Sequence, residues 1–133
     1  MDPNNSLSKE TIKENPMKMI MRLKDGIPIL EPNGKIVGPA VSQLRERLAL
    51  ELLDASETPC FLINFEHVQK IDSSALGMLV NVHVIAAQMK SRIGIINVGQ
   101  HIKSLLVLSR LVTIFEHFKS EDAAISALTK TLK

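Results

Sequence analysis

One short segment restricts the fold more than any other part of the sequence: the run Cys60-Phe61-Leu62-Ile63-Asn64-Phe65, bounded by Pro59 and Glu66. Its apolar residues do not alternate with polar ones, so both faces of the segment are expected to be covered. A strand covered on both faces lies at the centre of a sheet rather than at its edge. The run therefore favours an α/β architecture in which helices pack against a central sheet.

The segments around this run alternate between strand and helix patterns. Met17–Leu23 has the period of two that is typical of a strand with one buried face, and Asp25-Gly26 is a hairpin signal. A second strand over 27–30 and 35–37 is interrupted by Pro32-Asn33-Gly34, which indicates a bulge or an edge position. A short loop is expected over 67–71. Helices are predicted over 39–56, 74–90, 102–109 and from 120, and further strands over 92–97 and 113–118.

The resulting order of elements is β β α β α β α β α. Repeated strand–helix units predict an α/β fold with a mixed, mostly parallel sheet of about five strands and four helices packed against it. The sequence contains no internal repeat and no second core. Residues 17–133 are therefore expected to form one domain, preceded by a polar, flexible tail over residues 1–16.

Composition argues against several classes of function. The 133 residues include 16 Lys and Arg against 14 Asp and Glu, and a net charge of +2 is too small to indicate binding to nucleic acid or to an anionic membrane. Without Trp or Tyr, few rings are available for stacking bases. The most apolar stretch, 75–89, is shorter than the ~20 residues of a spanning helix, so no direct membrane insertion is expected. The single cysteine permits no intramolecular disulfide, and a reducing, cytoplasmic location is expected.

The segment from Asn64 to Gly77 is the most informative for function, because a central strand ends there, a loop follows and two serines begin a helix. Asp72 or Ser73 can act as the N-cap, which satisfies free backbone N–H groups and requires no other role. A hydroxyl at this place also lies beyond the carboxyl end of a strand, where α/β sheets usually carry their sites. A phosphate on it would meet the positive end of the helix dipole but would stand beside the charge of Asp72.

The helix after these serines is predicted to carry a contact surface. A helical projection separates a stripe on the serine side from an opposite side that we assign to the core. The stripe contains Ser74, Met78, Asn81 and Ile85, with Gly77 and Gln88 beside it, and the opposite side contains Leu76, Leu79, Val80 and Ala87, with His83 among them. Exposed apolar side chains next to a glycine, which lets another backbone approach, favour docking of a partner.

Other groups of polar residues carry weaker signals. Gly94–Gly99 has the glycine spacing of a phosphate loop, but Gln100 and His101 stand where a lysine and a hydroxyl residue would be required. The four histidines are far apart in the sequence and show no metal-ligand spacing, so neither a metal nor a cofactor is expected. Cys60 is expected to be a core residue. No Gly-x-Ser-x-Gly elbow is present, and the protein is not expected to be an enzyme.

The run Ile71-Asp72-Ser73-Ser74-Ala75-Leu76-Gly77 resembles the signature of the STAS domain in bacterial anti-sigma factor antagonists, an Asp-Ser-Ser/Thr-Gly/Ala-Leu-Gly pattern after a central strand. The resemblance extends from about Met19 to Leu132 and implies a STAS-like single domain. It also implies that Ser73 is the phosphate acceptor, with Ser74 as the second choice. Asp72 would then orient the serine or the partner.

The same resemblance implies a partner-switching function. Such an antagonist binds an anti-sigma factor that is itself a serine kinase, and this binding frees a sigma factor. Phosphorylation by the kinase ends the binding, and a metal-dependent serine phosphatase restores it. The implied partner surface consists of Asp72, Ser73, Ser74, Gly77, Met78, Asn81 and Ile85.

The sequence departs from the family pattern at several positions. Val37 stands where an Asp normally lies near the phosphoserine, and Ala75, Gln100 and Arg110 are further departures. Because Val37 changes the local charge, one alternative stays open: a non-catalytic STAS scaffold subunit of a signalling assembly or of a membrane lipid-transport complex. A small hydrolase that uses Ser73 is a separate alternative.

Overall fold

The computed structural model describes residues 17–54 and 60–130, and these ranges contain six strands and four helices. The flexible tail predicted for residues 1–16 lies outside the described residues, as do 55–59, where the first helix was expected to end. The strands are β1 (Met17–Lys24), β2 (Ile27–Ile36), β3 (Cys60–Asn64), β4 (Val68–Ile71), β5 (Arg92–Ile96) and β6 (Glu116–Phe118). The helices are α1 (Pro39–Asp54), α2 (Ser73–Gln88), α3 (Gln100–Leu108) and α4 (Glu121–Thr129).

All strands belong to one mixed sheet in the order β1-β2-β3-β5-β6, in which β4 also pairs with β2. β1 is antiparallel to β2, and the other pairs are parallel, so the predicted α/β fold and its mostly parallel sheet are confirmed. The loop expected over 67–71 is wrong, because β4 forms there as a sixth strand. β4 has only four residues, and the two buried ones, Val68 and Ile71, do not alternate with exposed ones. The segment therefore lacks the period of two by which a strand is recognised in a sequence.

The hairpin between β1 and β2 has the predicted turn. Asp25 has φ 52° and Gly26 has φ 81°, which are the two positive values that a type I′ turn requires. β2 then continues through Pro32-Asn33-Gly34, and the expected edge position is wrong, because β2 has neighbours on both sides. The expected bulge is confirmed as a shift in the β2–β4 register between Gly34 and Lys35.

Pro32 is tolerated because of where β2 changes partners. Pairing with β3 involves Ile29 and Leu30, and pairing with β4 begins at Gly34. Pro32 lies between these two ladders, where a missing N–H breaks no pair on that side of the strand.

Hydrophobic clusters cover both faces of the sheet. Phe61 and Ile63 of β3 belong to the larger cluster with residues of α1, α2 and α3, whereas Cys60 and Leu62 belong to a smaller cluster with residues of α4. The central position predicted for this strand, covered on two faces, is therefore confirmed. Among the described residues, no helix combines the length and hydropathy needed to cross a membrane.

The last helix begins as the sequence predicts. The hydroxyl of Ser120 accepts a hydrogen bond from the Ala123 backbone N–H at 3.1 Å, and Glu121 and Asp122 occupy the first turn. The buried stripe contains Ala124, Ile125 and Leu128, while Leu132 lies outside the described residues. The last strand is shorter than expected, because only Glu116–Phe118 of the predicted 113–118 pairs with β5.

Candidate functional site

The two serines lie at the start of α2, directly after β4. Ile71 ends this strand and pairs with Ile36 of β2, and α2 begins at Ser73. Asp72 is the residue between them and has the extended backbone of an N-cap, with φ −117° and ψ −177°. The serines therefore lie in the first turn of a helix that follows a parallel strand, as the sequence indicates.

Asp72 makes hydrogen bonds with both carboxylate oxygens. Its Oδ1 accepts from the Ala75 backbone N–H at 2.9 Å and from the Ser74 hydroxyl at 2.6 Å. Its Oδ2 accepts from the backbone N–H of Gly38 at 3.2 Å, in the turn before α1. The Ser74 hydroxyl, followed by the Ala75 N–H, holds the pKa of Asp72 below its usual range, because both donors favour the charged carboxylate. Asp72 thus caps α2 and ties its start to the start of α1.

The two hydroxyls differ in what they contact. Ser74 donates to Asp72, whereas Ser73 is exposed and hydrogen-bonds to nothing in the described part of the chain. Asp72 therefore orients Ser74 and leaves the Ser73 hydroxyl open to solvent. In the same ranges no histidine is hydrogen-bonded to the Ser73 hydroxyl, and His117 bonds to the Val112 carbonyl.

The predicted stripe on α2 is only partly exposed. Ser74, Gly77 and Asn81 are exposed, but Met78 is 4 % exposed and Ile85 is half-buried against the core. The exposed position assigned to Met78 is therefore wrong. The physical reason is that α1 lies alongside α2, so that Val41, Leu44 and Leu48 share one cluster with Met78.

The side of α2 assigned to the core also differs from the prediction. Leu79 is buried and Leu76 is half-buried, but Val80 and Ala87 are exposed. Val82 and Ala86 are buried instead, and His83 makes an edge contact with the ring of Phe115, with centroids 5.9 Å apart. Because α2 packs against both the sheet and α1, its buried arc is rotated from the one that hydrophobicity alone suggests.

An open groove between α1 and α2 adjoins the serines. It has a volume of about 440 Å³ and is lined by Gly38, Val41, Ser42, Arg45, Ser74, Gly77, Met78 and Asn81. The sequence analysis did not include Ser42 or Arg45 among the candidate site residues. No linear signal connects them with α2, because the groove is formed by the packing of two helices distant in sequence.

Gly77 forms part of this groove without an intramolecular need for glycine. A glycine inside a helix is destabilising by roughly 0.5–1 kcal/mol relative to alanine. A Cβ at Gly77 would meet nothing within 4 Å, and its φ is not among the positive values of the described residues. Neither the packing nor the backbone geometry of residues 17–54 and 60–130 therefore explains this glycine.

The glycine-spaced segment 94–99 has a structural explanation. Gly94 lies in β5, where a Cβ would come within 2.7 Å of the Phe118 ring. This glycine therefore permits close packing inside the fold.

Cys60 is buried as expected, and burial raises the pKa of its thiol. The described residues contain no group of three or more His, Cys, Asp and Glu side chains arranged to hold a metal ion.

Comparisons with known proteins agree with this architecture. A family model for the STAS domain matches residues 18–124. Among curated proteins, no sequence matches the chain. Solved structures with this fold include an anti-sigma factor antagonist from Mycobacterium paratuberculosis, which is 17% identical with a TM-score of 0.74, over 87% of this chain and 97% of the other.

Two further structures show the range of proteins that share the fold. The Bacillus cell fate determinant SpoIIAA in its phosphorylated form is 18% identical, with a TM-score of 0.65 over 84% of this chain and 99% of the other. A sulfate transporter family protein from Wolinella succinogenes is 18% identical, with a TM-score of 0.66 over 84% of this chain and 91% of the other. At these identities the likeness concerns the fold alone.

Proposed function

Because this chain belongs to the STAS domain family, we propose that it is an anti-sigma factor antagonist whose binding to an anti-sigma factor kinase is controlled by phosphorylation of Ser73. It acts in the cytoplasm as a binding module without catalytic activity of its own. The kinase adds the phosphate, and a metal-dependent serine phosphatase removes it. The likeness to the antagonist from Mycobacterium paratuberculosis and to SpoIIAA supports this proposal through the fold.

The observation that carries the proposal is the difference between the two hydroxyls. A kinase must bring the acceptor oxygen in line with the γ-phosphate of ATP, which requires an accessible hydroxyl that is free to rotate. Ser73 is exposed and makes no hydrogen bond to the described residues, whereas Ser74 is held by Asp72 at 2.6 Å. Transfer to Ser74 would also break its bond to the carboxylate that caps the helix. Ser73 is therefore the acceptor that we propose.

A phosphate on Ser73 would act on the partner more than on the fold. It adds a charge of ~−1.5 to −2 at the first turn of α2, where the helix dipole stabilises anions and Asp72 repels them. These opposing effects leave the domain folded. A partner docked over this turn would have to desolvate the phosphate, and a penalty of ~3 kcal/mol would weaken the affinity more than a hundredfold.

The test is phosphoryl transfer followed by intact-mass measurement. The purified chain is incubated with ATP and each anti-sigma factor kinase that the source genome encodes. We expect one added phosphate with the cognate kinase, none on Ser73→Ala, and one on the matched control Ser74→Ala. Phosphorylation of Ser73→Ala, or of no variant by any kinase, would contradict the proposal.

A scaffold subunit is the second candidate. It is favoured by Val37, which lies next to the Gly38 backbone that bonds to Asp72 and leaves the neighbourhood of the serines without the family's acidic residue. The sulfate transporter family protein from Wolinella succinogenes, which has the same fold, supports this candidate. A scaffold would copurify stably with its assembly, and Ser73→Asp would leave that association unchanged.

A further inference from the structure

We propose that the groove between α1 and α2 receives an acidic segment of the partner kinase, and that Arg45 selects for it. The proposal rests on the function proposed above and adds the chemistry by which the partner is recognised. It concerns the groove lined by Ser42, Arg45, Ser74, Gly77 and Asn81.

Arg45 carries a positive charge that no residue in the described ranges neutralises. It is exposed and forms no ion pair or hydrogen bond with the rest of the described structure. Side chains three and four positions away along α1 could reach it, but these positions hold Val41, Ser42, Leu48 and Ala49, which bear no charge. Two other arginines of the domain are paired: Arg22 bonds to Glu31 and Glu121, and Arg92 bonds to Glu116.

The groove residues contributed by α2 leave this charge unbalanced. Ser74, Gly77, Met78 and Asn81 are all uncharged. The nearest acid in sequence to these residues is Asp72, and its two oxygens already accept hydrogen bonds from Ser74, Ala75 and Gly38. The guanidinium therefore keeps its donors available, and a planar fork of N–H groups suits a carboxylate.

The other groove residues suit the same occupant. The Ser42 hydroxyl and the Asn81 amide can both donate hydrogen bonds to carboxylate oxygens. Gly77 exposes the backbone of α2 in the middle of the groove, with nothing within 4 Å of where a Cβ would lie. A segment of the partner can approach the helix closely there while an acidic side chain reaches Arg45.

The proposed contact also separates two neighbouring roles. Ser73 lies in the first turn of α2 and controls whether binding occurs, while Arg45 lies on α1 and controls which partner is bound. Val37, just before α1, is uncharged, so it adds no negative charge at this end of the groove. A kinase with an acidic contact segment is complementary to the charge of Arg45.

The experiment measures the affinity of the unphosphorylated chain for each anti-sigma factor kinase of the source genome by isothermal titration calorimetry. We expect Arg45→Glu to weaken binding to the cognate kinase at least ~10-fold, because like charges would meet at the contact. Arg45→Lys should lose less. Lys103→Glu is the matched control, since it makes the same charge change on an exposed residue of α3 outside the groove, and it should bind within ~2-fold of wild type.

A charge exchange identifies the contact directly. Each acidic residue of the kinase is replaced with Lys, one at a time. One of these kinase variants should bind the Arg45→Glu chain more tightly than it binds the wild-type chain. Gly77→Leu, which fills the groove, should also weaken binding while amide spectra remain those of a folded domain.

The outcomes separate the two proposals. If wild type binds no kinase, both proposals are wrong. If wild type binds and Arg45→Glu binds equally well, or loses no more than Lys103→Glu, the antagonist function stands and the acidic contact is wrong. The acidic contact would also be wrong if Arg45→Glu changed kinase binding only in the phosphorylated chain. Arg45 would then interact with the phosphate on Ser73 of its own chain.

Discussion

Both α2 and α4 begin with a side chain that caps the helix, Asp72 in the first and Ser120 in the second. At α4, the first-turn residue Glu121 bonds to Arg22, which also holds Glu31 through two hydrogen bonds of 2.6 and 3.0 Å. Lys24 lies 3.5 Å from both Glu121 and Asp122. The start of α4 is therefore tied by charge to β1 and β2.

At the start of α2, none of the described residues forms ion pairs like those at the start of α4. The first turn of α2 contains no acidic residue, and the Ser73 hydroxyl has no partner among the described residues. The comparison teaches that two helix starts with similar caps can differ in how their first-turn groups are used. The difference lies in whether the groups after the cap are used by the fold or left for another molecule.

The largest expected effect comes from placing a negative charge at each helix start. Ser73→Asp should weaken binding to the cognate kinase about a hundredfold, equivalent to about 2.7 kcal/mol, because the charge must be desolvated on docking. Ser120→Asp should change it less than about twofold, since Asp is also a good N-cap. Titration calorimetry of both variants checks this, and equal losses would mean that the two helix starts do not differ in function.

The next effect concerns the charge network of α4. Arg22→Met should lower the free energy of unfolding by about 2 kcal/mol, because it leaves Glu31, whose side chain is 14% exposed, without its charged partner. Kinase binding should not change. Urea denaturation measures the loss, and Lys24→Met, which removes only ion pairs of an exposed residue, should cost less than about 0.5 kcal/mol. Equal costs would show that the network contributes nothing beyond surface pairing.

Removing either cap should lower the stability by a similar amount, but only the loss of Asp72 should affect a distant part of the chain. Asp72→Ala and Ser120→Ala should each cost about 1 kcal/mol in urea denaturation. Asp72→Ala should in addition speed hydrogen exchange at the Gly38 amide, which bonds to Asp72 across 34 residues of sequence. Ser120→Ala should leave that amide protected, and equal protection in both variants would contradict the link between α1 and α2.

The smallest effect is the response to acid. Folding lowers the pKa of Asp72 through the Ser74 hydrogen bond and that of Glu121 through Arg22, so each stabilises the fold above the ordinary pKa of about 4. This stability is lost as the pH falls through the lowered values. Asp72→Asn and Glu121→Gln should each flatten the acid limb of stability against pH. Salt at about 1 M should weaken the Glu121 contribution more, because ion pairs are screened.

The sequence predicts those features that local chemistry determines. The β3 run, the Asp25-Gly26 turn and the Ser120 cap each follow from a few adjacent residues, and the structure confirms all three. The choice between Asp72 and Ser73 as cap stayed open in the sequence, because both side chains can bond to a backbone N–H.

Features created by packing between distant elements could not be predicted in the same way. Met78 is buried because α1 lies beside α2, and the periodicity of α2 contains no information about that neighbour. Arg45 gives no sign of lying in a groove, since charged residues on helices usually face water. β4 exists because β2 extends past β3 and offers a free edge, which four residues of sequence do not reveal.

One pair in the sheet has a consequence for how fast a partner can be captured. Ile36 and Ile71 are register partners at the ends of β2 and β4, and α1 and α2 start only a few residues later. The two helices that line the groove are thus anchored to one residue pair of the β2–β4 ladder. A groove anchored in this way is preorganised, so a partner that binds it should lose little conformational entropy, and encounter rather than rearrangement should set the rate at which complexes form.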